Sequence, residues 1–95
     1  MSATIELPRL AGPRSGHGGP WRVIVRNDDH NTFDSVAEAL SNTIPEITLA
    51  QGYAIADRVH RSGLAIVWSG DEDHAVSYWE QLVEAGLTMA PLEQG

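Results

Sequence analysis

The sequence contains no cysteine and no lysine, and its six basic residues are all arginine. Without cysteine, disulfides and thiolate metal sites are excluded, and no redox compartment can be read. Six bases stand against 13 acids, for a formal charge of −7. Clustered cations for nucleic-acid phosphates or an anionic membrane surface are therefore missing. No apolar run is longer than a few residues, so no helix is expected to span a bilayer. The N-terminus lacks the charged-then-apolar pattern of a secretion signal. The expected location is the cytoplasm, or the plastid stroma for an organellar protein. The histidines at 17, 30, 60 and 74 show no metal-ligand spacing, so neither zinc nor any other cofactor is expected. What is present is a 42% apolar content over 95 residues, enough for one small domain with a modest core.

The chain divides near Pro20. Residues 1–19 carry Pro8, Pro13 and several glycines, and are expected to form a flexible N-terminal extension. Ile5, Leu7 and Leu10 are its apolar cluster. They read as a solvated leader or as a docking peptide. Arg9 and Arg14 against Glu6 make the extension basic, so the acidity belongs to residues 20–95.

Within 20–95 the pattern predicts a strand over 20–26, where Trp21-Arg-Val-Ile-Val25 alternates. Thr32 is placed as N-cap of a first helix carrying Phe33, Val36, Ala37, Leu40 and Ile44. Thr48 and Gln51 form a capping box for a second helix carrying Leu49, Tyr53, Ala56, Val59 and His60, with Gly63 as its C-terminal glycine. Leu64–Trp68 lacks alternation and is expected to be a central, buried strand. Gly70 and Asp71 open a third helix with Ala75, Trp79, Leu82 and Val83 on one side. Leu87–Leu92 is the last strand, with Pro91 suited to an edge. The order βααβαβ favours helices packed on one face of a small sheet.

Three clusters could carry chemistry. Gly16-His-Gly-Gly19 precedes a strand and lacks the Gly-Lys-Ser/Thr of a phosphate loop, so it reads as a linker. Asp71-Glu-Asp73 lacks the glycine and later acids of a calcium loop, and suits a helix N-terminus. Asn27-Asp28-Asp29-His30 crowds two carboxylates at a strand exit. Such a pair needs solvent, hydrogen-bond donors or a cation. By composition it is either a polar turn or the seat of a cationic ligand. A hydrolase built on Asp28 or Asp29 with His60 lacks a nucleophile and an oxyanion site, so no enzyme activity is expected.

Trp21-Arg-Val-Ile-Val-Arg-Asn-Asp-Asp-His-Asn-Thr-Phe33 and Arg58-Val-His-Arg-Ser-Gly-Leu-Ala-Ile66 together resemble the ClpS family, the N-degron adaptors of the Clp protease. The resemblance covers residues 20–93. It implies an α+β fold, a small three-stranded antiparallel sheet packed on three helices. It implies an adaptor that binds the free N-terminus of substrates beginning with a bulky hydrophobic residue, Leu favoured. Delivery would be to a Clp-family AAA+ ATPase, ClpA- or ClpC-like, partnered with the ClpP peptidase, with the adaptor itself a monomer. Matched residue by residue, Asn27, Asp28 and His60 would bind the α-amino group, with Asp29 a supporting acid. Asn31, Phe33, Val36, Ala56 and Val59 would line the hydrophobic pocket.

These residue types suit that ligand. A free α-amino group has a pKa of about 7.7–8.0 and is largely cationic at neutral pH, so it offers three donors. Charge-assisted hydrogen bonds contribute about 1.5–3 kcal/mol each. Protonating His60 would remove an acceptor and weaken binding in acid. The sequence departs from the family at Asn31, where Thr is frequent, at Thr32 (Pro), and at Phe33 and Ala56 (both Met). Ala56 either relaxes the pocket or leaves space that Phe33 fills. The third helix also lacks the basic contact to the ATPase that family members carry there. The alternative is an acidic protein-interaction domain of the same fold with a different ligand.

Overall fold

A computed structural model of the chain describes residues 19–95. The expected extension over 1–19, with Ile5, Leu7 and Leu10, lies outside the described residues apart from Gly19. In chain order the elements are β1 (Trp21–Arg26), α1 (Phe33–Thr43), α2 (Leu49–Ser62), β2 (Leu64–Gly70), α3 (Glu72–Glu84) and β3 (Glu93–Gln94). The fold is α+β, a three-stranded antiparallel sheet packed on three helices.

Local chemistry sets the element ends. Thr32 caps α1, and Ser35 completes its capping box. Thr48 and Gln51 form the box that opens α2. Gly63 ends α2 at φ 92°, a left-handed conformation that glycine adopts at little cost. Asp71 caps α3 by accepting from the His74 backbone.

The sheet order is β2-β1-β3, so β1 is central and β2 lies at an edge. This corrects the expectation for Leu64–Trp68. Ala65 and Val67 do enter the core, but Leu64 and Ile66 are each about half exposed, at 49% and 50%. They lie opposite Arg26 and Ile24 in register, on the face away from the core. An unbroken apolar run therefore conceals a strand that is buried on one side only. The last strand is also corrected. Residues 87–92 run beside β1, with Arg26 N donating to Thr88 O at 2.8 Å and Ala90 N to Ile24 O at 3.0 Å. A regular strand begins only at Glu93, past Pro91, which has no N–H to give a ladder.

The core joins Val23 and Val25 of β1 to Val36, Leu40, Val59, Trp79 and Leu82 of the helices. On α2 the buried side is narrow: Gly52, Ala56 and Val59 are buried, while Leu49, Tyr53 and His60 are exposed. A Cβ at Gly52 would stand 2.7 Å from the Ala37 carbonyl oxygen, so only glycine lets α1 and α2 meet there. This close crossing holds the start of α1 and the end of α2 beside one another.

Candidate functional site

The loop between β1 and α1 sits where three parts of the chain converge. Asn27 N donates to Gly63 O at 2.9 Å, which ties the end of β1 to the C-cap of α2. Arg26 N binds Thr88 O, which brings the segment after α3 to the other side. Between them lies a pocket of about 310 Å³, at the small end of the range for ligand sites. Every residue expected of the site lines it: Asn27, Asp28, Asp29, Asn31, Phe33, Val36, Ala56, Val59 and His60.

The pocket has an apolar floor and a polar rim. Val36, Ala56 and Val59 are buried and belong to the core as well as the pocket. Phe33 is 42% exposed and stands at the mouth. Its ring meets the His60 ring edge-on, centroids 5.4 Å apart at 67°. His60 is exposed, with no hydrogen bond to its ring nitrogens among the described residues. It stands at the pocket, where the family resemblance places it.

Asp28 is the most heavily bonded side chain of the loop. Its Oδ1 accepts from His30 N and Asn31 N, each at 2.8 Å. Its Oδ2 accepts from Asn31 Nδ2 at 2.8 Å and from the Thr88 hydroxyl at 2.6 Å. The Thr88 hydroxyl, then the Asn31 backbone, hold the carboxyl well below the usual carboxylate range, against the opposing push of burial; the Asn31 amide and the His30 N–H add to this. These donors all favour the charged form of Asp28. Asp29 is exposed and carries no hydrogen bond or ion pair among the described residues. Arg26 lines the same pocket, so the rim carries the negative charges of Asp28 and Asp29 and one positive.

Asn31 does not open onto the pocket freely. Its amide donates to Gly86 O at 3.0 Å as well as to Asp28, and its oxygen accepts from Ser35 Oγ at 3.2 Å. Leu87 and Thr88, from the segment after α3, also line the pocket, and sequence reasoning missed both. No local signal marks them, because Thr88 meets Asp28 across 60 residues of chain. No group of three or more metal-binding side chains occurs among the described residues. No described helix is long and apolar enough to cross a membrane. A second hollow, on α2 around Arg58 and Arg61, is formed by one helix alone, and Arg61 is already paired to Asp57 at 3.0 Å.

Comparison with known proteins points one way. The model of the family described as ATP-dependent Clp protease adaptor protein ClpS matches residues 17–93. The Clp protease adapter protein ClpS of Thermosynechococcus vestitus is 49% identical over 77 residues, covering 81% of this chain and 82% of that protein. The ClpS of a Nostoc species is 51% identical over 73 residues, covering 77% and 75%. Among solved structures, Agrobacterium tumefaciens ClpS2 bound to L-phenylalaninamide matches with a TM-score of 0.74 at 20% identity, covering 81% of this chain and 98% of that one. At that identity the match speaks for the fold.

Proposed function

The chain belongs to the ClpS family of Clp protease adaptor proteins, and from that premise we propose that it captures substrates by their free N-terminus. The favoured substrate begins with a bulky hydrophobic residue, Leu above all, and is handed to a Clp-family ATPase working with ClpP. The adaptor contributes recognition and no bond-breaking chemistry. It works in the cytoplasm, or in the stroma of a plastid.

The observation that carries this reading is the pairing of an apolar floor with a carboxylate rim in one small pocket. An N-terminal residue has the matching halves, a cationic ammonium beside a side chain. The ammonium would donate to the Asn27 side-chain carbonyl and to a neutral His60 nitrogen. Asp28 would act through its charge, since its oxygens are already occupied, and Asp29 would add a second negative charge. The first side chain would descend past Asn31 and Phe33 onto Val36, Ala56 and Val59. Burying a Leu side chain is worth about 1.5–3 kcal/mol. The ClpS2 of Agrobacterium tumefaciens was solved with L-phenylalaninamide, a molecule that carries both a free α-amine and a large apolar side chain.

Titrating the protein with a Leu-first peptide, free and N-acetylated, tests the reading. Acetylation removes the charge and is expected to weaken binding by about tenfold or more, one charge-assisted hydrogen bond's worth. Equal affinity for the two peptides would refute the amine site. A Leu-first reporter should also be degraded faster by a Clp ATPase and ClpP when the adaptor is added.

A further inference from the structure

Thr88 lies in the irregular segment between α3 and β3, held at both its ends. Its carbonyl accepts at 2.8 Å from the N–H of Arg26, the last residue of β1. Its hydroxyl donates to Asp28 Oδ2 at 2.6 Å. Two residues earlier the Gly86 carbonyl accepts from the Asn31 amide at 3.0 Å. That amide donates to the same Oδ2 that Thr88 holds. The loop and the segment after α3 are thus stitched together by main-chain and side-chain bonds that converge on one carboxylate.

A carboxylate has about four acceptor positions, and here protein donors occupy them before any ligand arrives. An entering ammonium therefore meets a fixed negative charge on a braced loop. It does not have to order that loop as it binds, which spares an entropic cost of association. Three of the Asp28 donors come from the loop's own residues 30 and 31. Among the described residues Thr88 alone supplies one from across the chain, so without it the carboxylate can swing with its loop.

We infer that Thr88 is a positioning residue for the α-amine site, its hydroxyl holding the Asp28 carboxylate, and through it Asn31 and the 27–32 loop, in the ligand-ready arrangement. The inference rests on the proposed reading of the pocket as a seat for a free N-terminus. The charged and titratable groups around Asp28 are Asp29 and His30 of the loop, Arg26 of β1 and His60 of α2. Residues 86–88 bring no charge of their own. Removing the hydroxyl therefore changes a donor and leaves the local charges as they are.

Two substitutions isolate that donor. Thr88→Val keeps the shape and loses the hydroxyl; Thr88→Ser keeps the hydroxyl and loses the methyl group. The free Leu-first peptide is titrated against each variant, and the Asp28 carboxyl carbon is followed by NMR across acid pH in peptide-free protein. Thr88→Val should bind the peptide roughly three- to tenfold more weakly, a loss on the scale of one hydrogen bond. Thr88→Ser should restore wild-type affinity. The Asp28 titration should move up toward the ordinary carboxylate range in Thr88→Val and stay low in Thr88→Ser. Wild-type affinity in the Val variant, or a Ser variant as weak as Val, would overturn the positioning role. An Asp28 titration unmoved in Thr88→Val would overturn the tie itself, whatever the peptide does. Failure of the wild-type protein to bind the peptide would sink the amine-site reading instead, and the titration would still judge the tie.

Discussion

Two acidic clusters stand at comparable points of the chain. Asp28 and Asp29 follow β1 and precede α1; Asp71, Glu72 and Asp73 follow β2 and open α3. In composition the second is the more acidic, yet the pocket forms at the first. The length of the connection explains the difference. Asp71 comes directly after β2 and must cap α3. It accepts from His74 N at 3.0 Å, and its carboxylate also meets His74 Nδ1 at 2.8 Å. Among the described residues all its partners lie within its own turn. Between β1 and α1 there is room for Thr32 to do the capping. Asp28 is thereby released to take donors from its loop and from Thr88, while Asp29 has no partner among the described residues. Acidity at a strand–helix junction does not make a binding site. A spare carboxylate braced from elsewhere, above an apolar hollow, can.

The contrast predicts effects of descending size. Asp28→Ala removes a charge and leaves the Thr88 hydroxyl, the Asn31 amide and two backbone N–H groups without their acceptor. Affinity for a free Leu-first peptide should fall by tenfold or more, roughly the worth of a charge-assisted contact, and the melting temperature should drop as well. Asp71→Ala should lower the melting temperature through the lost cap and leave peptide affinity unchanged. Equal loss of affinity in the two variants would erase the distinction between the clusters.

Asp29→Asn is the intermediate case. It removes an exposed charge and no hydrogen bond, so affinity should fall only about two- to threefold, and less at high salt, because exposed charges are screened. A salt-independent loss larger than that of Asp28→Ala would show that the ammonium sits on Asp29.

His74→Ala, like Asp71→Ala, should leave binding unchanged, but its pH signature is specific. The Asp71 hydrogen bond and charge raise the His74 pKa, with Asp73 and Glu46 adding to this. The Asp71 pKa is lowered, first by the His74 backbone N–H and then by its side chain. A raised histidine stabilises the fold below its unfolded pKa and loses this as pH rises through the folded value. A lowered carboxylate stabilises the fold above its unfolded pKa and loses this as pH falls through the folded value. The pair therefore helps most between the ordinary carboxylate and imidazole ranges. The melting-temperature difference between wild type and His74→Ala should peak there and shrink on both sides. A difference that is flat with pH would rule out the ion pair. The rings of Trp68 and Tyr78 lie beside His74, with centroids 6.2 and 6.0 Å from its own.

Much of this was legible from local pattern. Thr32, Thr48 with Gln51, and Gly63 announce helix ends because caps satisfy backbone groups within three or four residues. The pocket itself was not legible from local pattern: composition left Asn27-Asp-Asp a polar turn, and only the resemblance to the ClpS family joined it to Val59-His60. Sheet order was not legible. Leu64 and Ile66 look like core residues, and only the placement of helices on the opposite face leaves them half exposed. The last strand was misplaced because residues 87–92 do lie along β1, but Pro91 breaks the regular ladder.

The scarcity of positive charge, the element order and the residue types at the pocket are properties of the chain as written, because they depend on composition and on contacts a few residues apart. The strand order, the half-exposed apolar edge and the tie from Thr88 to Asp28 depend on which distant segments meet. That choice is made by the whole core at once, through the close crossing of α1 on α2 and the return of the chain beside β1. No window of neighbouring residues carries it.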